Sequence, residues 1–457
     1  MKWRKIVALG LCMAMMGAFG GCGSGDVPVS EEVHSEAPSQ GNESIQSSEP
    51  SQGNESSQES ESGQSGSVRQ LGASEGEGLA PVTLENAYQR AAYLADMVYA
   101  KNQESTLVSP LSLEVALGLV AEGASGETAK ELYKYLGNEK YADWVQSYME
   151  FAKTLDADGT SSEFKSSSKY SFHYELANSI WVRKDDQLNP DYQKLVEKKF
   201  QAVAENVDFV GEAQKTADRI NAWCDERTHG MIPEMVTPEM FDKGLAAILM
   251  NSVYFESPWL DEWRILEHDF TNLKGEKKNQ EMLMDRLNVY YENAYATGFS
   301  KSYYNGFQFI GILPKHEGDF KISDLDLKSF LDSETYDYDV NAIAPKLNYE
   351  TTAENIVDIL KAQGVQKVFD WEFAELDRLV DGKPLFVSDI VQKCKIELDE
   401  QGTRAAAVTM IMTKDAAAVM EKPKEVKNVY LDRPFAFLIY DSANDQIVFV
   451  GKVTEVE

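Results

Sequence analysis

Histidine and cysteine, the side chains that most often do chemistry in proteins, are sparse in this sequence and follow no site motif. The five histidines have no histidine or cysteine partner at a metal-ligand spacing. There is no Gly-x-Ser-x-Gly elbow, no Gly-x-Gly-x-x-Gly turn and no phosphate-binding loop. Acid pairs such as Asp185 and Asp186 are frequent because the whole chain is acidic, so they do not indicate a glycosidase. We therefore expect no metal, no cofactor and no enzymatic activity.

One segment, residues 399–413, has an unusual composition. A glycine, Gly402, is followed by small or β-branched residues without proline. With the two-residue period of a strand, Thr403, Ala405 and Ala407 share one face and Arg404 falls on the other. Nothing bulky near its start would prevent this segment from sliding between two existing strands. The start of an alanine-rich helix or a plain flexible loop fits the local sequence equally well.

The rest of the chain, which would position the segment 399–413, alternates between helical and strand-like patterns. Helical spacing is found at 84–100, 215–228 and 353–363. Ser109 and Pro110 precede an apolar helix at 115–121. The residues 126–128 interrupt the helical pattern, and a new helix begins at Ala129. Strand-like runs are found at 175–182, 245–254, 307–313, 339–347, 385–398, 435–440 and 446–453. No fixed period links them, so the sequence predicts one large α+β domain rather than a solenoid or a doubly wound sheet.

Between residues 24 and 78 the chain is almost free of hydrophobic residues, although these make up 43% of the sequence. The stretch consists mainly of Ser, Glu, Gln, Gly and Asn, and its segment 38–44 is repeated at 50–56. Such a composition cannot bury enough apolar surface to fold. We expect a disordered tether over 22–78, with a root-mean-square span of roughly 40 Å, and a folded domain over 79–457.

The N-terminus has the layout of a lipoprotein export signal. Three basic residues precede an apolar run that is too short to span a membrane, and small residues end at Gly21, before Cys22. Acyl chains on the Cys22 thiol would anchor the exported protein, since each buried methylene contributes about 0.8 kcal/mol. Residues 1–21 would be removed, leaving a protein that is lipid-anchored at the bacterial cell surface or extracellular. An ordinary export signal with a bystander cysteine is the alternative.

Two cysteines, Cys224 and Cys394, remain once Cys12 leaves with the signal and Cys22 carries lipid. They lie far apart in sequence, and four cysteines at these spacings form neither a disulfide framework nor a zinc motif. We expect two small buried hydrophobic residues, with a disulfide between them as the alternative.

The formal net charge of −31 narrows the range of partners. A chain this acidic is repelled by nucleic acid and by anionic membranes. We expect neither as a partner, so the N-terminal lipid would be the only membrane contact.

A series of motifs follows the tether in a fixed order. They are Thr-Leu-Val-Ser-Pro-Leu-Ser at 106–112 with Glu-Gly-Ala-Ser-Gly-Glu-Thr at 122–128, Ala-Asn-Ser-Ile-Trp at 177–181, Ile-Asn-Ala-Trp at 220–223 with Thr-His-Gly-Met-Ile at 228–232, Leu-Met-Asn-Ser-Val-Tyr-Phe at 249–255 with Trp259, Asp-Arg-Pro-Phe at 432–435 and Gly-Lys-Val at 451–453. Together with the segment 399–413, they resemble the serpin family of serine protease inhibitors. The resemblance covers essentially the whole chain after the tether.

This resemblance implies an α+β serpin fold with three β-sheets, about nine helices and an exposed reactive-centre loop at about 402–426. It also implies a suicide inhibitor whose partner is a target serine protease. The protease would form an acyl-enzyme with the loop, and the loop would insert into the main sheet before the ester is hydrolysed. Because displacing catalytic groups by about 1 Å can cost about a hundredfold in rate, the covalent complex would be trapped. The inhibitor itself is expected to be a monomer.

The resemblance also assigns roles to individual residues. The hinge residues are Gly402, Thr403, Ala405, Ala406 and Ala407. The residues that let the sheet open are Ser109, Ser112, Asn251 and Gln392, with Trp259 at the point where insertion starts. Gln392 departs from the family pattern, because many members have histidine there. Glutamine keeps a hydrogen bond but carries no pH-sensitive charge.

The family's usual spacing places the scissile bond between Ala416 and Ala417. Small residues there would suit a shallow, elastase-like pocket. A trypsin-like protease that cleaves between Lys414 and Asp415 is the alternative target. Two other functions stay open: a non-inhibitory serpin acting as a binding module, and a lipoprotein that uses the fold as a scaffold for an envelope ligand. The small hinge residues favour inhibition.

Overall fold

The computed structural model describes residues 71, 79–155, 173–381, 384–403 and 423–456, all of which belong to the unit Gly66–Glu457. Within these residues the chain forms eight α-helices and three β-sheets. The predicted signal peptide, Cys22 and nearly all of the predicted tether lie outside the described residues. The boundaries drawn there remain predictions.

The helices alternate irregularly with the strands along the chain. The helices are α1 (Ala87–Asn102), α2 (Pro110–Gly123), α3 (Gly126–Leu136), α4 (Tyr141–Leu155), α5 (Pro190–Phe200), α6 (Ala213–Arg227), α7 (Leu327–Asp332) and α8 (Ile356–Ala362). Short 3-10 helices are formed by Pro238–Met240, Ile322–Leu325 and Lys367–Phe369. The strands are β1 (Thr106–Val108), β2 (His173–Arg183), β3 (Val203–Val207), β4 (Ala247–Pro258), β5 (Arg264–Thr271), β6 (Lys277–Leu287), β7 (Tyr290–Glu292), β8 (Ala296–Ser302), β9 (Gln308–Pro314), β10 (Tyr338–Pro345), β11 (Leu347–Ala353), β12 (Val387–Leu398), β13 (Gly402–Thr403), β14 (Glu425–Tyr430), β15 (Phe435–Asp441) and β16 (Gln446–Val453).

The strands form a main sheet with the order β11-β12-β13-β4-β2-β3, a second sheet β1-β16-β15-β9-β8-β7 and a third sheet β14-β10-β6-β5. In the main sheet β4 also pairs directly with β12, in parallel. The other pairs of β4, with β2 and β13, are antiparallel. The central strands β4 and β12 are therefore neighbours along part of their length and are separated by β13 at one end.

Strand β4 is buried along its whole length because both faces of the main sheet are covered. Its residues Leu249 and Val253 belong to the large hydrophobic cluster that includes α2. Its residues Ile248 and Met250 belong to a second cluster with α6. A strand covered on both faces is a nearly continuous apolar run rather than an alternating one, which explains the largely apolar sequence of the strand predicted at 245–254.

Helix α2 begins directly after Ser109, whose side chain accepts a hydrogen bond from the backbone N–H of Ser112. Pro110 occupies the first turn, where its missing N–H costs nothing. Most of α2 is buried. The helix therefore starts earlier than the predicted 115–121, because the cap and proline form its first turn.

The seven predicted strand runs and the predicted helices are all found, with shifted ends. The largest difference is at 339–347, predicted as one strand. Here β10 ends at Pro345 and β11 begins at Leu347, and the two belong to different sheets. Strands β5 and β6 were not predicted, since they are largely exposed and rich in charge, and so lack an apolar alternation. Helix α3 begins at Gly126, three residues before the predicted restart.

Leu71 lies within the segment predicted as a tether, yet its side chain is fully buried. It belongs to the second hydrophobic cluster, and its backbone N–H donates to the carbonyl oxygen of Met240 over 2.7 Å. The same cluster includes Met250 of β4 and Val391 of β12. One leucine in a polar stretch is too weak a signal for sequence analysis, so this attachment was not predicted.

Cys224 and Cys394 are both free and buried, so the alternative of a disulfide between them is wrong. Burial raises the pKa of Cys224 to about 12 and also raises the pKa of Cys394, which leaves both thiols protonated and unreactive.

Over the described ranges, no helix combines the length and apolar character needed to cross a bilayer. Nor does any group of three or more histidine, cysteine or acidic side chains there have a metal-binding arrangement.

Candidate functional site

The predicted hinge lies inside the main sheet. Gly402 and Thr403 form β13, which pairs in antiparallel fashion with β4 at Pro258 and Ser257. On its other side Thr403 pairs with Leu398 of β12. Sequence analysis predicted an exposed loop, and the structure corrects this for its first two residues, which are buried. The other predicted hinge and cleavage residues lie outside the described residues: Ala405, Ala406, Ala407, Lys414, Asp415, Ala416 and Ala417.

A tight turn at residues 399–402 leads from β12 into β13. The carboxylate of Asp399 accepts hydrogen bonds from the backbone N–H groups of Gln401 and Gly402, at 2.8 and 3.1 Å. The N–H of Asp399 donates to the carbonyl of Gly402 at 2.9 Å. Aspartate is favoured at such turns because its side chain bonds the backbone two residues on. The turn therefore fixes where the hinge enters the sheet.

Two tryptophans hold this turn. The indole N–H of Trp259 donates to the carbonyl of Asp399 at 2.8 Å, and its backbone N–H donates to Gln401 at 2.9 Å. The backbone N–H of Trp263 donates to the carbonyl of Glu400 at 3.0 Å. Trp259 thus lies beside the hinge, where the sequence placed it, whereas Trp263 was not predicted.

An ion pair ties the turn to the neighbouring strands. Glu400 pairs with Lys346, which joins β10 to β11, at 3.0 Å, and Lys346 also contacts Glu281 of β6 at 3.0 Å. Partial burial acts to raise the pKa of Glu400, but hydrogen bonds from its own backbone and from Lys346 outweigh it and lower the pKa. This pair was not predicted, because its partners are more than fifty residues apart in the sequence.

Beyond the hinge, the seam between β4 and β12 is only partly closed. Their parallel ladder runs from Val387 and Ala247 to Gln392 and Asn251. Between this ladder and β13, residues 252–256 of β4 and 393–397 of β12 form no pair with each other. The main sheet therefore contains a slot that begins at Thr403 and ends at Gln392 and Asn251.

The closed end of the slot is held by the side chain of Gln392. Its amide N–H group donates to Asn251 Oδ1 at 2.7 Å and to the carbonyl of Ser109 at 2.9 Å. Its Oε1 accepts from the backbone N–H of Ser109 at 2.9 Å. Nearby, Ser112 Oγ donates to the carbonyl of Ser252 at 3.4 Å. The structure thus brings together Ser109, Ser112, Asn251 and Gln392, all buried; we call the contacts of Gln392 the clasp.

The clasp lies beside polar side chains that lack partners within the described ranges. Asn178 of β2 lies directly opposite Asn251, and neither polar atom of its side chain has a hydrogen-bond partner there. The Nδ2 of Asn251 and the Oγ of Ser252 also lack one. A buried polar group without a partner costs free energy. Asn178 stands in the motif at 177–181, but its sequence position alone did not distinguish it.

Replacing Gln392 by leucine would keep the volume of the side chain and remove the clasp. The N–H of Ser109 and the Oδ1 of Asn251 would lose a buried partner, at about 1–3 kcal/mol for each group. We expect thermal unfolding of Gln392→Leu to begin several degrees below that of the wild type in scanning fluorimetry. Gln146→Leu, which removes an exposed contact with Glu150, is the control. Equal melting of both variants would contradict the clasp.

The contact of Glu400 with Lys346 predicts a dependence on pH. Because the pKa of Glu400 is lowered in the folded state, its stabilisation is present above the ordinary pKa of about 4.3 and is lost as the pH falls below it. The side chains of Glu400 and Lys346 are 28% and 34% exposed, so solvent weakens the pair. We expect Glu400→Gln to melt slightly below the wild type at pH 7, and the two to become level as the pH falls through the lowered pKa of Glu400. Glu267→Gln, on the exposed face of β5, is the control. A difference in melting temperature that persists at low pH, or that the control reproduces, would refute a stabilising contact between Glu400 and Lys346.

Residues 86–456 match the family model described as Serpin (serine protease inhibitor). Neuroserpin of Homo sapiens is 27% identical over 372 residues, which cover 78% of this chain and 87% of that protein. Iripin-8 of Ixodes ricinus is 27% identical over 369 residues, covering 78% of this chain and 89% of that protein.

Solved serpin structures are similar to this chain over most of its length. Serpin48 of the insect Tenebrio molitor has a TM-score of 0.69 at 27% identity and covers 81% of this chain and 98% of its own. The thermophilic serpin tengpin in its native state has a TM-score of 0.68 at 25% identity and covers 85% and 98%.

The family match replaces the reason for which we expected no enzymatic activity. That expectation rested on missing motifs. The matching family model is described as a serine protease inhibitor, and protease inhibitors are not catalytic enzymes in the usual sense. With three sheets in the family arrangement, and a family model that matches residues 86–456, this chain belongs to the serpin family.

Proposed function

We propose that this serpin is a suicide inhibitor of serine proteases, which traps the acyl-enzyme by inserting its loop between β4 and β12. The observation that carries the proposal is β13, which lies between these strands and is antiparallel to both. The hinge is thus already in the position from which an inserted strand would grow.

The register of the inserted strand follows from β13. Thr403 lies opposite Ser257 of β4 and Leu398 of β12. Since both pairings are antiparallel, each further loop residue would advance one residue back along both strands. The first five loop residues would enter the part of the slot where β4 and β12 do not pair.

The face of this strand that points towards the large cluster requires small side chains. Ala405 would come opposite Phe255 and Ile396, and Ala407 would come next to Val253, and all three neighbours are buried in that cluster. Large residues at 405 or 407 would overpack a filled core, which typically costs 1–3 kcal/mol. The run of alanines at the hinge matches this space.

The opposite face explains the one charged residue of the hinge. Arg404 would come opposite Glu256 of β4 and Glu397 of β12, two carboxylates that point away from the large cluster. Glu256 is 8% exposed and accepts a hydrogen bond from Tyr254 at 2.5 Å, and Glu397 pairs with Lys395 at 2.7 Å. Arginine between two carboxylates would gain charge-assisted hydrogen bonds, so this residue would assist insertion.

Complete insertion would need the clasp to open. In the same register Thr409 arrives opposite Asn251 and Gln392, which are hydrogen-bonded to each other. Thr413 would then reach Ala247, the first residue of β4. Residues 414–416 would extend past the end of the sheet, which supports a scissile bond at Lys414 or Ala416.

The chemistry is that of an interrupted proteolysis. The serine Oγ of the protease adds to the carbonyl carbon of Ala416, the bond to Ala417 breaks, and the amine of Ala417 leaves with the proton of the serine. Insertion then carries the ester about 40 Å along the sheet, at about 3.3 Å per residue. Strain on the attached protease would displace its oxyanion hole, and losing one donor there costs about 10²–10³ in rate.

The target class is inferred from the loop sequence. Ala416 and Ala417 suit an elastase-like protease with a shallow pocket, and Lys414 with Asp415 would suit a trypsin-like one. The alternative hypothesis is a non-inhibitory serpin acting as a binding module. Experiments with proteases distinguish this hypothesis from the inhibitor function.

Incubation with pancreatic elastase and with trypsin, followed by a denaturing gel and sequencing of the released C-terminal peptide, tests the proposal. We expect a denaturant-resistant inhibitor–protease band with elastase and a peptide that begins at Ala417. A peptide beginning at Asp415 would reassign the bond to Lys414. Complete cleavage of the loop without any such band would overturn the inhibitor function.

The register is tested by two charge substitutions in the loop. Thr409→Arg would bury a charge at the clasp and is expected to turn the inhibitor into a substrate that is cleaved without forming a complex. Glu421→Arg, beyond the scissile bond, is the control and should leave complex formation unchanged. If Thr409→Arg forms complex as well as the wild type, the register is wrong.

We also propose that the chain is exported and held at a bacterial surface by lipid on Cys22, as its N-terminal sequence suggests. Labelled palmitate supplied to expressing bacteria should be incorporated into the wild type and not into Cys22→Ser, which should appear in the soluble fraction. Incorporation that survives Cys22→Ser would refute a lipid at this residue.

A further inference from the structure

Tyr303 is a buried tyrosine at the mouth of the slot that no motif in the sequence singled out. It follows β8 of the second sheet, and its hydroxyl lies 2.6 Å from Oγ1 of Thr403. Both side chains are almost completely buried, at 1% and 3% exposure. Thr403, from which the inserted strand would grow, is thus hydrogen-bonded to a residue that follows a strand of a different sheet.

The ring of Tyr303 is fixed by its neighbours. It stacks on Trp259 with ring centroids 4.1 Å apart and an interplanar angle of 14°, and Phe255 packs edge-on against it at 5.1 Å. Its backbone pairs with Trp259, and its N–H donates to the carbonyl of Phe307 at 2.8 Å. The hydroxyl therefore has a fixed position, set independently of the hinge.

The phenol of Tyr303 is protonated at neutral pH. Burial raises the pKa of Tyr303 well above its usual value, and the hydrogen bond with Thr403 only partly offsets this. Either hydroxyl can be the donor of the bond. If the two hydroxyls separated inside the core, each would lose a partner that water could not replace.

We propose that Tyr303 is a positioning residue of the inhibitory reaction, which holds the hydroxyl of Thr403 and so keeps the hinge inside the main sheet before a protease attacks. The inference rests on the proposed insertion mechanism for its effect on inhibition. The contact itself is a property of the free protein.

This contact matters because insertion competes with hydrolysis of the acyl-enzyme. With Thr403 already in the slot, strand growth starts from a formed end and does not first have to order the hinge. Without the contact, a fraction of the molecules would have the hinge outside the sheet. In those molecules more acyl-enzymes would be hydrolysed before they are trapped, and more inhibitor would be consumed for each protease inactivated.

Tyr303→Phe and Thr403→Val, singly and combined, test the contact in the free protein. Phenylalanine preserves the stacking on Trp259, and valine preserves the shape of threonine. We expect hydrogen exchange at the backbone amides of residues 399–403 to be about fivefold faster in each single variant, the scale of one buried hydrogen bond. The double variant should be no faster than either, because both changes remove the same bond. Thr403→Ser, which retains the hydroxyl, should exchange close to the wild type.

Tyr174→Phe is the matched control. It removes a buried hydroxyl from the same aromatic cluster, where Tyr174 contacts Phe255, but this hydroxyl bonds to Tyr148 and not to the hinge. Exchange at residues 399–403 should not change in this variant. Effects of Tyr303→Phe and Thr403→Val that simply add, or a Tyr174→Phe variant that exchanges equally fast, would overturn the proposal.

A second measurement connects the contact to inhibition. With the protease that forms the complex, Tyr303→Phe should raise the number of inhibitor molecules consumed per protease several-fold, while the rate of loop acylation stays unchanged. An unchanged consumption, together with faster exchange, would overturn the positioning role and leave only a structural contact. If the wild type traps no protease at all, the inhibitor function fails, and the exchange cycle still decides whether Tyr303 holds Thr403.

Discussion

The incomplete pairing of β4 with β12 is the constraint on which the rest of the structure depends. In a regular parallel pair the hydrogen bonds are evenly spaced along the strands, but here the ladder stops at Asn251 and Gln392. From there to β13 the two strands run side by side without pairing. The contacts described around this seam lie at its two ends, and the proposed insertion would take place between them.

The two ends of the slot are held by different kinds of contact. At the hinge end, Trp259 and the ion pair of Glu400 hold the turn through backbone hydrogen bonds and surface charge. At the closed end, the clasp joins Gln392 to Asn251 entirely inside the core. Hydrogen bonds at a closed seam can be exchanged for hydrogen bonds to an entering strand, whereas interlocked apolar side chains would have to be repacked. A polar clasp therefore suits the proposed opening of this sheet.

Sequence patterns predicted the central strands, because the run at 245–254 is largely apolar and the run at 385–398 alternates apolar with polar residues towards its end. The arrangement of the strands in three sheets was expected only from the family resemblance. The family resemblance also placed Ser109, Asn251 and Gln392 in one group, and the structure brings Ser109 and Asn251 each within hydrogen-bonding distance of Gln392. Tyr303 and the pair of Lys346 with Glu400 were not predicted, since such contacts join residues that are distant in sequence and leave no local pattern. The insertion of Gly402–Thr403 was missed for a related reason, because a two-residue strand is too short for a periodic signal.

Glutamine at position 392 also determines how the seam can respond to its surroundings. Its three hydrogen bonds use both an acceptor and a donor group of the amide. A neutral imidazole offers one donor and one acceptor, and protonation converts its acceptor into a second donor. At this position that change would set an N–H against the N–H of Ser109 and weaken the clasp in mildly acidic conditions. The amide has no such transition, so opening of this seam is expected to depend on the entering strand and not on protonation of the clasp.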